Sequence, residues 1–560
     1  MAGCGGEKPA PASIDTSPPW PEFVASTITA YYEWNPGSAV IAGLHEYDSR
    51  MADYSLSALD EYAKWLDSVI AEAAAYKDLA GIEAFERDYL LTAMNGRLFR
   101  LRDSGYPTTN PRFYNVNVSV GVYVDRDYAP LDKRIATYTR YIAQLPGRMA
   151  TMKKNLKPPL PAPYLEISSR ILRGFAGYLE TTVPEVFAPV EDEQLQRRFA
   201  AANNEAVSAV RQSAAWLNDL KATATDDYAL GEERFLKMLL TTQGVDITLA
   251  ELTAAGERDL RRNLDALDAV CAEYASGEST RDCVQRVDNR KPAEGAVAGA
   301  TRQLSDLKQF LIDNEIVSIP DSEEALVAES PPHRRFNAAY ISIPGPFESG
   351  LPSVYYIAPP DPNWSEEDKL AYIPGEARLL GISVHEVWPG HYLQRLHSRR
   401  VENNIGRYFR TSAFSEGWAH YAEQMMCDAG LGKGDPEVRI GQLLNALKRN
   451  VRYLSAIGLH TGGMTLAESQ QMFAEQAFLD VGNANQQALR GTYDPGYLNY
   501  TLGKLMINKL RDDWTASRGG RAAWRQFHDE LLSYGSPPIP LLRAQMLGAD
   551  YDGDRALLPR

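Results

Sequence analysis

The chain has 560 residues, of which 44% are hydrophobic, and a formal net charge of −15. A chain of this size can bury a core without help from disulfides, and its negative charge disfavours nucleic acids and anionic membrane surfaces as partners. No apolar run approaches the ~20 residues that a membrane-spanning helix needs.

The first residues indicate a bacterial lipoprotein. Ala2-Gly3-Cys4 matches the end of a lipobox, whose cysteine carries the lipid in the mature protein. We interpret residues 1–20 as a lipobox remnant and flexible tether. No basic and apolar signal stretch precedes Cys4, so we expect the natural precursor to be longer. A lipid on Cys4 would be the membrane contact of a periplasmic or cell-envelope protein. The alternative is a chance match in a cytoplasmic protein.

Most of the chain has the periodicity of amphipathic helices. Apolar residues recur at spacings of three and four in residues 54–75, 132–152, 193–223, 249–274, 376–399, 437–459 and 496–514. No Gly/Ser-rich linker or evident repeat divides them. The sequence therefore predicts a mainly α fold, one large helical body around an active-site cleft, with a helical amino-terminal region over 21–330 and a catalytic region over 331–560.

Three cysteines follow the amino-terminal one. Cys271 and Cys283 bracket eleven residues that include Gly277, a pattern typical of a turn between helices, so these two thiols can pair in an oxidising periplasm. Cys427 remains as a buried thiol.

The clearest β signal precedes residue 360. Two β-branched and aromatic runs flanked by Pro and Gly, residues 336–344 and 352–358, predict a small β hairpin. Its exposed edge can hold an extended peptide by main-chain hydrogen bonds, with Tyr355 as a candidate substrate contact. A hairpin that only covers one side of the cleft fits the pattern equally well.

Residues 385–416 contain the side chains of a hydrolytic zinc site. His385 is the first and His391 the last residue of the segment H-E-V-W-P-G-H, and Glu416 follows after twenty-four further residues. Zinc takes imidazole nitrogen and carboxylate oxygen, and a catalytic site has three protein ligands and an open position. We predict Zn²⁺ bound by these three residues, with Glu386 as the base that deprotonates a bound water.

The spacing of the two histidines departs from H-E-x-x-H, where they lie four residues apart on one helix face. Here they lie six apart, which a helix turning ~100° per residue would place on different faces. Pro389 cannot donate to the carbonyl of His385, and Gly390 tolerates unusual dihedral angles. We therefore predict that the helix widens or breaks at Pro389-Gly390, which returns His391 to the metal.

These blocks resemble a known family. H-E-x-x-P-G-H followed by S-E-G-W-A-x-Y-A-E is similar to the domain-of-unknown-function 885 family, bacterial proteins that look like gluzincin metallopeptidases. Similar blocks lie at 43–48, 158–159, 449–452 and 493–500, so the resemblance covers most of the chain after about residue 20. It implies a gluzincin-like fold, and it makes Arg452 a candidate for substrate binding.

The chain departs from the family at two positions beside the proposed ligands. Tyr392 stands where many members have a second adjacent histidine, and tyrosine is a poor zinc ligand, so His391 is the predicted ligand. His420 stands where Leu or Tyr is usual, one helical turn after Glu416. We expect His420 to support that carboxylate rather than to be a fourth ligand. His397 is interpreted as a surface residue at a helix end.

A hydrolase also needs a group that stabilises the oxyanion. Residues 491–500 place three tyrosines around a Pro-Gly turn and resemble the tyrosine-rich loop of thimet-type oligopeptidases. By that resemblance, Tyr497 and Tyr500 are the candidate oxyanion donors and Tyr493 is a candidate substrate contact. The alternative is that these amphipathic side chains pack the base of a helix.

Together these patterns predict a zinc-dependent hydrolase that cleaves short peptides with metal-activated water, Glu386 passing the proton to the leaving amine. A zinc amidase acting on a non-peptide amide is an alternative, because the ligands do not define the acyl or amine group. A peptide-binding lipoprotein without turnover is the alternative outside enzymes.

Overall fold

Helices make up most of the molecule, as the periodicity predicts. The structure is a computed structural model that describes residues 18–331, 334–335, 339–401 and 404–559, so Cys4 and most of the predicted tether lie outside the described residues. None of the described helices is long and apolar enough to cross a membrane.

The helices form two series, one before and one after a small sheet. The first series is α1 (Trp20–Trp34), α2 (Pro36–Ala42), α3 (Leu56–Ala75), α4 (Gly81–Arg102), α5 (Tyr106–Thr109), α6 (Asn117–Asp125), α7 (Leu131–Ile142), α8 (Leu145–Asn155), α9 (Ala162–Glu180), α10 (Thr182–Phe187), α11 (Glu193–Asp219), α12 (Glu232–Gln243), α13 (Leu249–Tyr274), α14 (Thr280–Asp288) and α15 (Ala296–Asp313). The second series is α16 (Glu366–Tyr372), α17 (Glu376–Glu386), α18 (His391–Ser398), α19 (Asn404–Tyr408), α20 (Ser412–Asp428), α21 (Pro436–Thr461), α22 (Leu466–Gln476), α23 (Val481–Tyr493), α24 (Asn499–Thr515), α25 (Trp524–Ser533) and α26 (Ile539–Leu547). Short 3-10 helices lie at His45–Tyr47, Pro111–Tyr114, Leu220–Thr223, Pro495–Leu498 and Gly520–Ala523.

The predicted helices are present, but some are divided. The segment predicted over 249–274 is α13 along its whole length. The segment predicted over 132–152 is two helices, α7 and α8, with Pro146 in the first turn of α8, where a missing N–H is tolerated. The segment predicted over 496–514 begins as a 3-10 turn and becomes α24.

Helix α21 is the most buried long helix of the second series. Asp435 caps its first turn, Pro436 occupies the first position, and Gly462 ends it with φ of 89°. Its buried residues number 20 of 26, on all faces rather than one. A helix buried all round lies inside the molecule, and α21 packs between α13 and α17.

The sheet has three strands, β1 (Leu326–Glu329), β2 (Ala339–Ser342) and β3 (Val354–Ile357), in the order β1-β3-β2. Strands β2 and β3 pair antiparallel, which confirms the predicted hairpin. Strand β1, which the sequence analysis missed, pairs with β3 in parallel. The hairpin is therefore the larger part of a sheet whose two outer strands are β1 and β2.

The apolar core divides into two clusters. One cluster takes its members from α1 to α11 and adds Ile405 and Phe409, while the other extends from Leu230 to Leu558 and includes Phe99. Helix α4 contributes to both, because Met94 belongs to the first cluster and Phe99 to the second. The predicted boundary between regions near residue 330 stays a prediction.

Two cysteines pair as the sequence allowed, whereas Cys427 is less buried than predicted. Cys271, at the end of α13, and Cys283, in α14, form a disulfide. Cys427 is a half-buried free thiol on α20, and burial raises its pKa to about 11. A thiol that stays protonated near neutral pH is a weak nucleophile.

Candidate metal centre

The turn between α17 and α18 brings the two histidines together. Helix α17 ends at Glu386 and α18 begins at His391, which confirms the predicted break. The amide of Gly390 donates to the carbonyl of Val384 at 2.9 Å, a bond that spans six residues instead of the four of a regular helix. A Cβ atom on Gly390 would collide with the carbonyl of His385, so this wide turn requires glycine.

Three ligand atoms converge at this turn. The Oε2 atom of Glu416 lies 3.4 Å from Nε2 of His391 and 3.6 Å from Nε2 of His385. All three atoms lie within 4.8 Å of one another. Glu416 comes from α20, which packs closely on α24 because Gly417 meets the backbone of Gly503.

The residues fit a zinc ion. The Oε2 atom of Glu416 is buried and receives no hydrogen bond among the described residues, although two imidazole nitrogens face it. An unpaired buried carboxylate oxygen is costly, and a cation held between it and the nitrogens would satisfy it. Two imidazoles and one carboxylate form the donor set of many catalytic zinc sites.

A buried ion pair lies behind His385. Its Nδ1 atom is 2.7 Å from Glu423, and Arg449 contacts both oxygens of Glu423 at 2.8 and 3.0 Å. Burial disfavours the Glu423 charge, but Arg449 and His385 hold the pKa of this carboxyl well below its usual range. A carboxylate that accepts from Nδ1–H directs Nε2 towards the metal position.

The support by Glu423 was missed in the sequence analysis, although its signal is present. Glu423 is the last residue of S-E-G-W-A-x-Y-A-E, seven residues after Glu416. Seven residues are about two helical turns, so both carboxylates occupy one face of α20.

Glu386 lies beside the ligands at the outer edge of the sheet. The main-chain N–H of Ile341, in β2, donates to Oε2 of Glu386 at 3.1 Å. Burial raises the pKa of the Glu386 carboxyl, and the nearby Glu416 charge acts in the same direction. The residue is only half-buried, so part of it remains accessible to solvent.

Tyr500 is the tyrosine of the 493–500 block that contacts this centre. Its ring stacks on His385 with a centroid separation of 6.0 Å and an interplanar angle of 18°. Tyr497 is 1% exposed, and its hydroxyl lies against Gly491 in the core. Tyr493 lies under the guanidinium of Arg112, 4.1 Å from its ring centroid.

The sequence of residues 36–546 matches the family described as bacterial protein of unknown function, DUF885. The chain belongs to this family. A candidate lipoprotein of unknown function from Shewanella oneidensis is 20% identical, with a TM-score of 0.80 over 95% of this chain and 100% of that one. Another, from Colwellia psychrerythraea, is 18% identical, with a TM-score of 0.78 over 94% and 98% of the two chains. No curated protein matches the chain.

The predicted substrate contacts of this DUF885 protein differ in their surroundings. Tyr355 is on the central strand β3 and is 0% exposed, so the structure leaves it no surface for a substrate. Arg452 is near the site, because its guanidinium lies 5.2 Å from the ring centroid of Tyr500. Arg452 is therefore connected to the site through Tyr500, whose ring stacks on His385.

Two further histidines differ from their predicted roles. His420 is 0% exposed and lies 3.8 Å from Glu423, so it faces that carboxylate and not Glu416. It is absent from the ligand group formed by the described residues, and burial lowers its pKa to about 3, which keeps it neutral. His397 is half-buried, not a surface residue, and its Nε2 lies 2.9 Å from the carbonyl of Ser318.

Proposed function

We propose that this DUF885 protein is a zinc-dependent hydrolase that cleaves short peptides. The observation that carries the proposal is the convergence of His385, His391 and Glu416 within 4.8 Å, with Glu386 beside them. A structural zinc site would have four protein ligands and no neighbouring base. Three ligands next to an accessible carboxylate are typical of a hydrolytic site.

Each residue has a distinct task in this proposal. Bound zinc would polarise a substrate carbonyl and lower the pKa of water. Glu386 would take a proton from the attacking water and deliver it to the leaving amine. Tyr500, whose ring covers His385, would donate a hydrogen bond to the oxyanion as it forms. Glu423 would keep Nε2 of His385 directed at the metal.

The edge of strand β2 supports a peptide as the substrate. Ile341 uses its N–H for Glu386 and not for β3, so its main chain faces the outer edge of the sheet. No other strand of the described residues pairs with this edge. An extended peptide can add to such an edge by main-chain hydrogen bonds, which would bring its amides past Glu386.

A metal-controlled activity screen tests the proposal. Purified protein should contain about one zinc per chain and hydrolyse members of a short-peptide library. A chelator should abolish hydrolysis, and added Zn²⁺ should restore it. If the protein contains zinc but cleaves only non-peptide amides, the proposed function would be an amidase and not a peptidase. Full zinc content with no cleavage of either class would reject the hydrolase.

We also propose that the protein is a lipoprotein of the bacterial cell envelope, anchored through Cys4. The support is the Ala2-Gly3-Cys4 motif, together with the description of both similar structures as candidate lipoproteins. In a bacterial host, radiolabelled palmitate should enter the wild-type protein and not Cys4→Ala. Equal labelling of the two would reject the anchor.

A further inference from the structure

A group of basic side chains lies along α21 and α23 next to the candidate metal centre. The guanidinium groups of Arg449 and Arg452 lie 5.6 and 5.2 Å from the ring centroid of Tyr500. Arg490 is on α23, and Lys448 precedes Arg449 on α21. In a chain with a net charge of −15, this local excess of positive charge stands out.

Two of the four basic side chains pair with carboxylates and two do not, and burial together with the neighbouring arginines lowers the pKa of Lys448 well below its ordinary value. Arg449 pairs with Glu423 at 2.8 Å, and Arg490 pairs with Asp494 at 2.8 Å. Within the described residues, neither Arg452 nor Lys448 has a carboxylate at ion-pair distance. The single hydrogen bond of the Arg452 guanidinium goes from Nε to the neutral Gln487, at 2.8 Å.

Arg452 is a nearly buried cation with unused donors. The residue is only 8% exposed, yet its two Nη atoms make no hydrogen bond to the described residues and are not sealed from solvent. Burial and the charge of Arg490 lower the pKa of Arg452 to about 10. Burying a charge without a counter-charge is costly, so the fold maintains a cation here that an anion would neutralise.

We propose that Arg452, assisted by Lys448, forms a subsite for a carboxylate of the peptide substrate. The proposal rests on the proposed hydrolase only in naming a peptide as the ligand. A guanidinium presents two parallel N–H groups to a carboxylate, and such charge-assisted pairs are stronger than neutral hydrogen bonds. Lys448 is half-buried and lies one helical turn before Arg452, on the same face of α21.

The position of the subsite limits how far the carboxylate is from the cleaved bond. Tyr500 lies 6.0 Å from His385 and 5.2 Å from the Arg452 guanidinium, so at most about 11 Å separates that guanidinium from the His385 ring. An extended peptide advances roughly 3.3 Å per residue. The carboxylate is therefore within about three residues of the scissile amide, as in a short peptide held by its carboxyl terminus.

Binding experiments can test the subsite without turnover. Zinc-loaded Glu386→Gln protein is titrated calorimetrically with four peptides: penta-alanine as free acid, penta-alanine amide, Ala-Ala-Glu-Ala-Ala amide and Ala-Ala-Gln-Ala-Ala amide. The same titrations use Glu386→Gln combined with Arg452→Met. Arg439→Met is the matched control, because Arg439 lies on the same helix, about 20 Å away at 1.5 Å per residue, and bonds Gln442 instead.

We expect a carboxylate to improve binding at least tenfold over its neutral counterpart. Tighter binding of the penta-alanine free acid than of its amide assigns the subsite to the peptide carboxyl terminus. Tighter binding of the Glu peptide than of the Gln peptide assigns it to an acidic side chain. Arg452→Met should reduce either preference to less than threefold, and Arg439→Met should leave it unchanged. Thermal unfolding and zinc content establish that each variant is folded, and Lys448→Met, with a smaller loss, provides a second variant.

Equal affinity for all four peptides, or no measurable binding of any, would overturn the subsite. A preference for the carboxylate peptide that is unchanged in Arg452→Met would also overturn the subsite. These results differ from a failure of the hydrolase. A protein that binds the carboxylate through Arg452 but hydrolyses nothing would keep the subsite and lose the proposed function. Hydrolysis whose rate depends neither on the substrate carboxylate nor on Arg452 would keep the proposed function and reject the subsite.

Discussion

Two clusters in this protein combine a histidine with carboxylates and an arginine. In the candidate metal centre, His385 meets Glu416, Glu423 and Arg449. The other cluster joins the amino-terminal region to the loop between β2 and β3. There, His45 lies 3.1 Å from Asp48 and 3.6 Å from Glu348, and Arg126 pairs with Glu348 at 2.8 Å.

The difference lies in the side chain that shares the second carboxylate. In both clusters each ring nitrogen of the histidine faces a carboxylate, at 3.1 and 3.6 Å for His45 and at 2.7 and 3.6 Å for His385. The carboxylate of Glu348 also pairs with Arg126, whereas that of Glu416 faces a second imidazole, Nε2 of His391, at 3.4 Å. The same residue types therefore make an ion-pair network in one place and a candidate ligand set in the other.

Replacing His391 should have the largest effect on the difference between the two clusters. We expect His391→Ala to lower the zinc content from about one ion per chain to less than ~0.1 and to reduce turnover to background. The reason is that catalytic zinc sites use three protein ligands, and two bind the ion too weakly to retain it in solution. His45→Ala should keep its zinc. Elemental analysis of both variants measures this. Full zinc in His391→Ala would remove His391 from the ligand set.

Glu386→Gln should lower the turnover number by ~10²–10⁴ and leave zinc content unchanged, since it removes only the proton transfer. Glu348→Gln is the matched control from the other cluster, and its turnover should equal that of wild type. Steady-state kinetics on a peptide from the library screen decide the matter. Wild-type turnover in Glu386→Gln would reject Glu386 as the base.

Tyr500→Phe separates an oxyanion donor from a packing residue. Loss of one donor costs ~10²–10³ in turnover number with little change in the Michaelis constant, because the bond forms in the transition state. Tyr497→Phe is the control, because its hydroxyl lies against Gly491 in the core. It should keep the rate and lose about 1 kcal/mol of unfolding free energy at most. Equal rates for both variants would make Tyr500 structural as well.

Glu423→Gln tests the support behind His385. The amide still reaches Nδ1 of His385 but leaves Arg449 without its charge partner. Changes to such supporting residues typically weaken zinc binding by ~10–100-fold. Competition with a chelator measures the affinity. An affinity equal to that of wild type would show that Glu423 only stabilises the fold.

His45 should affect stability and not catalysis. Burial by itself disfavours the charged ring, but Asp48 and Glu348 raise the pKa of His45 to about 9. Because the pKa is higher in the folded state, the stabilisation is fully present below pH ~6.5 and is lost as pH rises through about 9. Urea unfolding of wild type and His45→Gln should differ by about 1–2 kcal/mol at pH 6 and by nearly nothing at pH 10. A pH-independent difference would contradict this.

The features that were predictable are local. Periodicity over one helix defines which face is apolar, so segments such as 249–274 could be read directly from the sequence. The break between Glu386 and His391 was equally accessible, because it follows from a proline without an N–H and a glycine without a Cβ. The hairpin around residue 350 belongs to the same class.

Other features depend on contacts between distant segments. Strand β1 has only four residues, and its β structure depends on β3, twenty-eight residues further along the chain. Glu423 could be placed on the Glu416 face of α20 from spacing, but its pairing with His385 and Arg449 requires three helices to meet. The partner of His420 and the burial of Tyr355 could not be predicted for the same reason.

The sequence by itself determined the helical fold class, the candidate ligands and the turn that separates the two histidines, because neighbouring residues decide backbone dihedral angles. Only the tertiary structure decided which tyrosine stacks on His385, which carboxylate supports it and which arginine has no carboxylate partner among the described residues. Those outcomes depend on how α17, α20, α21 and α24 pack. Packing is set by shape and by the pairing of buried charges across the whole chain, and residue spacing within one segment carries neither.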